Sequence, residues 1–169
     1  MITEMDLPPR SGTRPRTTSS IPHTQLDQQP ADPRELDSIL DEAATWPHVV
    51  GRPSRIAVEG SRALVLAADA AGGPGEAFMV DLEFCHGHAG GDQSLHATLP
   101  PPLASLARRT GWAEPHYLVR TGRAPATVVM LYAPRDRVER DVVLRLVRAS
   151  YEFALTGSPS GAGLTQRAR

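Results

Sequence analysis

Lysine and asparagine are absent from the chain, and Cys85 is its only cysteine. Without lysine there is no amine for a Schiff base, which excludes covalent amine catalysis and pyridoxal phosphate chemistry. The same absence excludes a P-loop, whose Gly-rich turn ends in lysine. One cysteine can make neither an internal disulfide nor a cysteine-based zinc cluster. No run approaches the ~20 apolar residues of a membrane span, and the N-terminus has no apolar signal core, so a cytoplasmic protein with no membrane partner is expected. The net charge of -1 gives no global attraction to nucleic acid. Every basic side chain is arginine, a bias that fits a GC-rich genome of the actinobacterial kind.

What is present points to one domain between two polar arms. Residues 1–31 are rich in Pro, Thr, Ser, Arg and Gln, with few clustered hydrophobes, and residues 156–169 resemble them. Such segments bury too little surface to offset their ordering entropy, so both are expected to be disordered. Order is expected from Asp32, the apparent N-cap of a helix with Pro33 in its first turn and Glu35 three residues on. Leu36, Ile39, Leu40 and Ala43 recur at helical spacing up to a stop before Pro47. Strands are expected at 55–58 and 63–67, joined by a hairpin turn, and at 77–85. In the last of these, Phe78, Val80, Leu82 and Phe84 alternate with Asp81 and Glu83. A Gly-rich turn leads to a strand at 93–99, where Leu95, Ala97 and Leu99 alternate with Ser94, His96 and Thr98.

A short helix carrying Leu103, Leu106 and Ala107 follows, stopped by Gly111. Strands at 116–119 and 127–132 precede a last helix capped by Asp136 and Glu139, with Val138, Val142, Leu146, Ala149 and Phe153 as its buried stripe. Tight connections favour an antiparallel sheet with helices on one face, an α+β two-layer sandwich over residues 32–155. The opposite face is then partly open, and it is the face that carries acids and histidines.

The candidate chemistry gathers there. Asp81 and Glu83 share a strand face, as do Ser94 and His96 on the expected neighbour, with opposed Cβ atoms about 5 Å apart if the Gly90-Gly91 turn closes a hairpin. A carboxylate beside an imidazole ordinarily raises the imidazole pKa and orients the ring for acid/base work. Glu114 and His116, in the connector 111–116, project toward the same row; Trp112 anchors that connector. Tyr132 and Arg135 close the set as oxyanion or anion partners. Cys85 follows an apolar residue and has no neighbour in sequence that would activate it. A metal-binding alternative uses His86, His88 and His96 or His116, with Asp81, Glu83 or Glu114 as carboxylate. The His-x-His pair also occurs in cupins, where a Glu follows; here Asp92 would have to stand in for it.

In order, Glu83 with His86 and His88, then Ser94-Leu95-His96, then Gly111-Trp112-x-Glu114-x-His116, then Leu131-Tyr132-Ala133-Pro134-Arg135 and a closing helix resemble the "luciferase domain" family of bacteria and fungi. The resemblance runs from about residue 37 to residue 155. It implies no flavin-dependent luciferase, since those are TIM barrels of ~250 residues. Ala113 replaces the glycine that usually follows the tryptophan.

The expected function is a cofactor-independent acid/base enzyme acting by dehydration, isomerisation or cyclisation on a small hydrophobic molecule, as in secondary metabolism. His96 and His116 would carry protons, Glu83 or Glu114 would orient them, and Tyr132 would steady the oxyanion. Asp81, Ser94, His88, Trp112 and Arg135 are the expected substrate contacts. The alternatives are a non-catalytic small-molecule-binding or dimerisation module, for which the long apolar last helix suits a homodimer, and the metal-dependent enzyme above.

Overall fold

The structure is a computed structural model that describes residues 7–156. Among these residues are six strands, β1 (Val49–Pro53), β2 (Arg62–Leu66), β3 (Glu83–Gly87), β4 (Leu95–Thr98), β5 (Ala113–Pro115) and β6 (Val128–Leu131). They form one sheet in the order β1-β2-β3-β4-β6-β5, antiparallel throughout. Four helices accompany it: α1 (Glu35–Ala44), α2 (Pro101–Arg109), a one-turn α3 (Tyr117–Arg120) and α4 (Arg137–Thr156). This is the α+β architecture read from the sequence. No helix among the described residues is long and apolar enough to cross a membrane.

The core lies between the sheet and the helices. Leu36, Ile39, Leu40 and Ala43 of α1 and Val143, Leu146, Val147 and Phe153 of α4 pack on Leu64, Leu66, Phe84, Cys85, Leu95 and Ala97 of the strands. Helix α4 starts where its sequence dictates: the Asp136 carboxylate accepts the Glu139 N–H at 2.9 Å, and the Glu139 carboxylate accepts the Arg135 N–H at 2.9 Å. That pairing satisfies two of the free donors at the helix start. Val138 is 76% exposed and does not join the buried stripe, because it stands in the first turn, before the helix reaches the sheet. Helix α1 begins three residues later than its apparent cap. Asp32 instead closes a tight turn, accepting the Arg34 N–H at 2.9 Å.

Three expected strands differ. The first strand is Val49–Pro53, and residues 55–58 form a loop instead. The long strand at 77–85 is broken at Asp81, which adopts φ 49° in a turn closed by Glu83 N–H to Val80 O at 2.9 Å. Aspartate tolerates this left-handed conformation better than a bulky residue would. Past Pro115 the chain does not stay extended, because the His116 ring caps α3, accepting the Leu118 N–H at 3.1 Å.

The irregularity that matters most lies between β2 and β3. Leu64 pairs with Cys85, yet the next residue, Val65, pairs with Glu83, so Phe84 is an extra residue in a β-bulge. Strict alternation would place Glu83 and His86 on opposite faces. The bulge re-aims Glu83 onto the face of His86 and turns Phe84 into the core. Gly87, next along, has no room for a side chain: a Cβ there would lie 2.8 Å from Leu40 Cδ1 and 2.9 Å from Leu36 Cδ1. Helix α1 thus requires glycine between His86 and His88. Gly87→Ala is expected to lower stability by about 1–3 kcal/mol through overpacking, measured by urea denaturation; an unchanged midpoint would contradict the packing described.

The N-terminal segment departs most from expectation. Residues 7–31 are laid against the domain rather than free of it, with Leu7 1% and His23 3% exposed. The segment is fastened by hydrogen bonds more than by apolar burial. Arg10 N–H donates to Thr110 O at 2.7 Å, Trp112 Nε1–H to Pro8 O at 2.7 Å, and Ala133 N–H to the Gln25 side-chain oxygen at 2.9 Å. The Arg10 guanidinium pairs with Glu139 at 3.3 Å. A reading based on hydrophobicity misses such an attachment, since its anchors are polar. The expected C-terminal tail, apart from Thr156, lies outside the described residues.

Candidate functional site

Cross-strand pairing builds a row on the sheet face away from α1 and α4. His86 of β3 faces His96 of β4, His96 faces Met130 of β6, and Met130 faces Glu114 of β5. The expected convergence of Glu83, His96, Glu114, His116 and Tyr132 on one side of the sheet therefore exists. It is larger than expected. Five of the six histidines of the chain meet here: His88 reaches in from the end of β3, His116 from the start of α3, and His23 from the N-terminal segment.

The imidazoles are wired to carboxylates behind them. His86 Nδ1 lies 2.7 Å from Glu83 Oε1, which also accepts the Ser54 hydroxyl at 3.0 Å. His88 Nδ1 lies 2.8 Å from Asp92 Oδ2 and 3.0 Å from Ser94 Oγ. The Nε2 atoms of both rings point at one atom, His96 Nδ1, at 3.0 and 3.1 Å. The other nitrogen of His96, Nε2, is buried without a hydrogen-bond partner, as is Glu83 Oε2. His23 Nε2–H donates to Glu114 Oε1 at 2.7 Å while its Nδ1 accepts the Tyr117 N–H at 3.3 Å. Tyr132 donates its hydroxyl to Glu114 Oε2 at 3.0 Å.

The electrostatics reverse one expectation. Carboxylates beside imidazoles were expected to raise the imidazole pKa, but burial prevails. Desolvation lowers His86 despite Glu83, and lowers His96 well below the ordinary value, with the neighbouring imidazoles adding to the effect. Desolvation, then His23 and the other imidazoles, brings His116 down to about 4. Near neutral pH these three rings are uncharged. Burial alone would raise the Glu114 carboxyl, but hydrogen bonds from His23, Thr17 and Tyr132 together hold it below the usual range. Burial, then Glu114, pushes Tyr132 up to about 12, so it is a donor and not a base. Burial likewise pushes the Cys85 thiol up, which leaves it inert.

The cluster opens onto a cavity of about 480 Å³. His23, His86, His88, His96 and His116 form its polar end, and Ile21, Ile56, Val58, Phe78, Met79 and Val128 are among its apolar walls. Several expected site residues lie elsewhere. Asp81 pairs with Arg55 at 2.8 Å in an exposed turn, since the break in its strand swings it off the face. Trp112 is buried in the core, and Arg135 is engaged by Glu139 and by Ser11 O at 2.9 Å. Ser94, Glu83 and Glu114 do not line the cavity but hold rings that do, and Tyr132 holds Glu114. His23 and the wall residues at 21, 56–58 and 78–79 were missed by sequence reasoning. A histidine within an otherwise Pro- and Thr-rich stretch was the one signal for the first of these.

His23→Ala is expected to cost about 1–3 kcal/mol, because Glu114 and the Tyr117 N–H each lose a half-buried partner. Protease cleavage within residues 14–28 should accelerate with it. Unchanged stability and cleavage would mean that the segment is not held by this ring.

The Luciferase domain family matches residues 81–150, which bears out the resemblance read from the ordered motifs. Proteins named luciferase from Armillaria ostoyae and Armillaria mellea are 28% and 29% identical to the chain, and one from Neonothopanus nambi is 30% identical. Each alignment covers 92% of this chain and 63–64% of the relative, so the chain spans under two-thirds of the length of those proteins. No solved structure matches the chain significantly. The matched stretch 81–150 contains the bulge, four of the five clustered histidines and most of α4, but not His23.

Proposed function

We propose that this chain, which carries a Luciferase domain match over residues 81–150, is an enzyme that holds a small, largely apolar molecule with one of its oxygen atoms against the imidazoles. The observation that carries this reading is the composition of the cavity: mostly hydrocarbon walls with five histidines among the lining, Thr24 and Arg123 being the other polar side chains that line it. His116 has the decisive polarity there. Its Nδ1 already accepts the Leu118 N–H, so the proton of the uncharged ring is on Nε2. An uncharged imidazole N–H can donate to a carbonyl or phenol oxygen as negative charge builds on it. His96 belongs to the same polar lining, and its Nε2 is buried without a protein partner.

The reaction this suits begins with transfer of a proton from an enolisable carbon or a phenol to a bare imidazole nitrogen of the cluster, His86 and His88 each presenting one. That step is common to isomerisation, dehydration and cyclisation.

Thermal-shift titrations with enolisable aryl ketones, phenols and their parent hydrocarbons test this. An oxygenated member should stabilise the protein, by about 2.7 kcal/mol at one hundred times its Kd, and the hydrocarbon should not. Ala57→Trp, which fills the cavity, should abolish the shift. On any compound that is turned over, His116→Ala should lower kcat about 10²–10³-fold with little change in KM. Binding undisturbed by Ala57→Trp, or turnover undisturbed by His116→Ala, would overturn the proposal; stabilisation without turnover of any bound compound would make the cavity a binding site only.

A further inference from the structure

Hydrogen-bond accounting at the inner end of the cavity does not close with protein atoms alone. Glu83 claims the Nδ1 proton of His86, and Asp92 claims that of His88. Each ring then presents its Nε2 lone pair, and both lone pairs face His96 Nδ1, at 3.0 and 3.1 Å. A proton on His96 Nδ1 satisfies one of them and leaves the other lone pair without a donor. A single cation in front of the three nitrogens satisfies all three.

We infer that His86 Nε2, His88 Nε2 and His96 Nδ1 bind one divalent transition-metal ion. Tetrahedral zinc with Zn–N of about 2.0–2.1 Å needs its nitrogens about 3.3 Å apart, within a few tenths of an ångström of the two spacings to His96 Nδ1, and the donor atoms of the three rings all lie within 4.8 Å of one another. The carboxylates stand where metal sites use them, each hydrogen-bonded to the far nitrogen of a ligand ring, fixing tautomer and orientation. Two carboxylates behind the rings and a dication in front also balance in charge. The buried Glu83 oxygen without a partner marks how little else neutralises that end of the site. All three histidines are among the cavity lining and no fourth protein ligand joins them among the described residues, which leaves a coordination position for an outside ligand, as in catalytic rather than structural sites. An all-imidazole set suits zinc, iron, copper or nickel and not magnesium or calcium.

A second trio, His23, His96 and His116, is also close enough in space to hold an ion. It is the poorer set, because both nitrogens of His23 and the Nδ1 of His116 are already engaged by Glu114, Tyr117 and Leu118. The carboxylates considered as ligands from the sequence, Glu83 and Asp92 among them, take other places: these two support the ligand rings, while Glu114 serves His23 and Asp81 faces solvent. The inference deepens the proposed function by adding a Lewis acid to the histidine end of the cavity, but its test needs no organic ligand. A failure here would leave that reading intact, and the reverse holds as well.

The experiment is a cobalt(II) titration of the full chain after dialysis against EDTA, followed by visible d–d absorption, with zinc(II) as competitor. Saturation at one equivalent and displacement by zinc are expected. His88→Ala should abolish the absorption, Asp92→Asn should weaken affinity about 10–100-fold as a positioning change, and His116→Ala should retain one equivalent. Circular dichroism checks each variant for folding, and the wild-type titration decides alone if a variant is unfolded. Absence of saturable cobalt binding to the folded wild type, binding unaffected by His88→Ala in a folded variant, or loss in His116→Ala with retention in His88→Ala would each overturn the inference.

Discussion

The arrangement of the site depends on one extra residue in one strand. Phe84 breaks the alternation of β3, and because of it a carboxylate three positions before His86 lies 2.7 Å from that ring instead of facing the helices. From that contact the polarity of the cluster propagates: Glu83 fixes the proton of His86, His86 turns its lone pair on His96, and Asp92 does the same through His88. The bulge also supplies Phe84 to the core, so the device that aims the site adds an aromatic ring to the packing beneath α4. Gly87 completes the geometry by letting α1 close on the sheet between the two histidines.

Burial then decides what kind of site this is. Carboxylates at hydrogen-bond distance favour charged imidazoles, and desolvation opposes them. Where a ring is almost wholly enclosed, desolvation prevails, and His86 and His96 are held below their ordinary pKa. Uncharged rings with fixed tautomers are poor proton donors at neutral pH in the ordinary acid sense. They are good ligands for a cation and good hydrogen-bond partners for an oxygen atom. The apolar walls of the cavity strengthen both effects by lowering the local dielectric.

Much of this was legible in the sequence. The 3.6-residue pattern of Leu36, Ile39 and Leu40, the Asp136 cap, and the alternation of Leu95, Ala97 and Leu99 against His96 each carry a local physical signal strong enough to survive folding. The α+β class and the gathering of Glu83, His96, Glu114, His116 and Tyr132 followed from those signals. What was not legible depends on long-range partners. Asp81 leaves the strand because a turn at φ 49° is closed by atoms of Val80 and Glu83, and an Ala-to-Cys alternation gives no warning of it. His116 looks like a strand residue until its ring caps α3. Residues 7–31 look unable to fold because their attachment uses Arg10, His23 and Gln25, whose partners lie some ninety to one hundred and thirty residues away.

The central claim is that paired carboxylates fix the tautomers of a buried imidazole cluster. Nitrogen-15 NMR of the histidine rings at neutral pH, assigned by single substitutions, tests it most directly. The expected result is a proton on Nδ1 of His86 and His88, with Nε2 bare, and the opposite tautomer at His116. Protons on Nε2 of His86 and His88, or doubly protonated rings at His86 and His96, would contradict it.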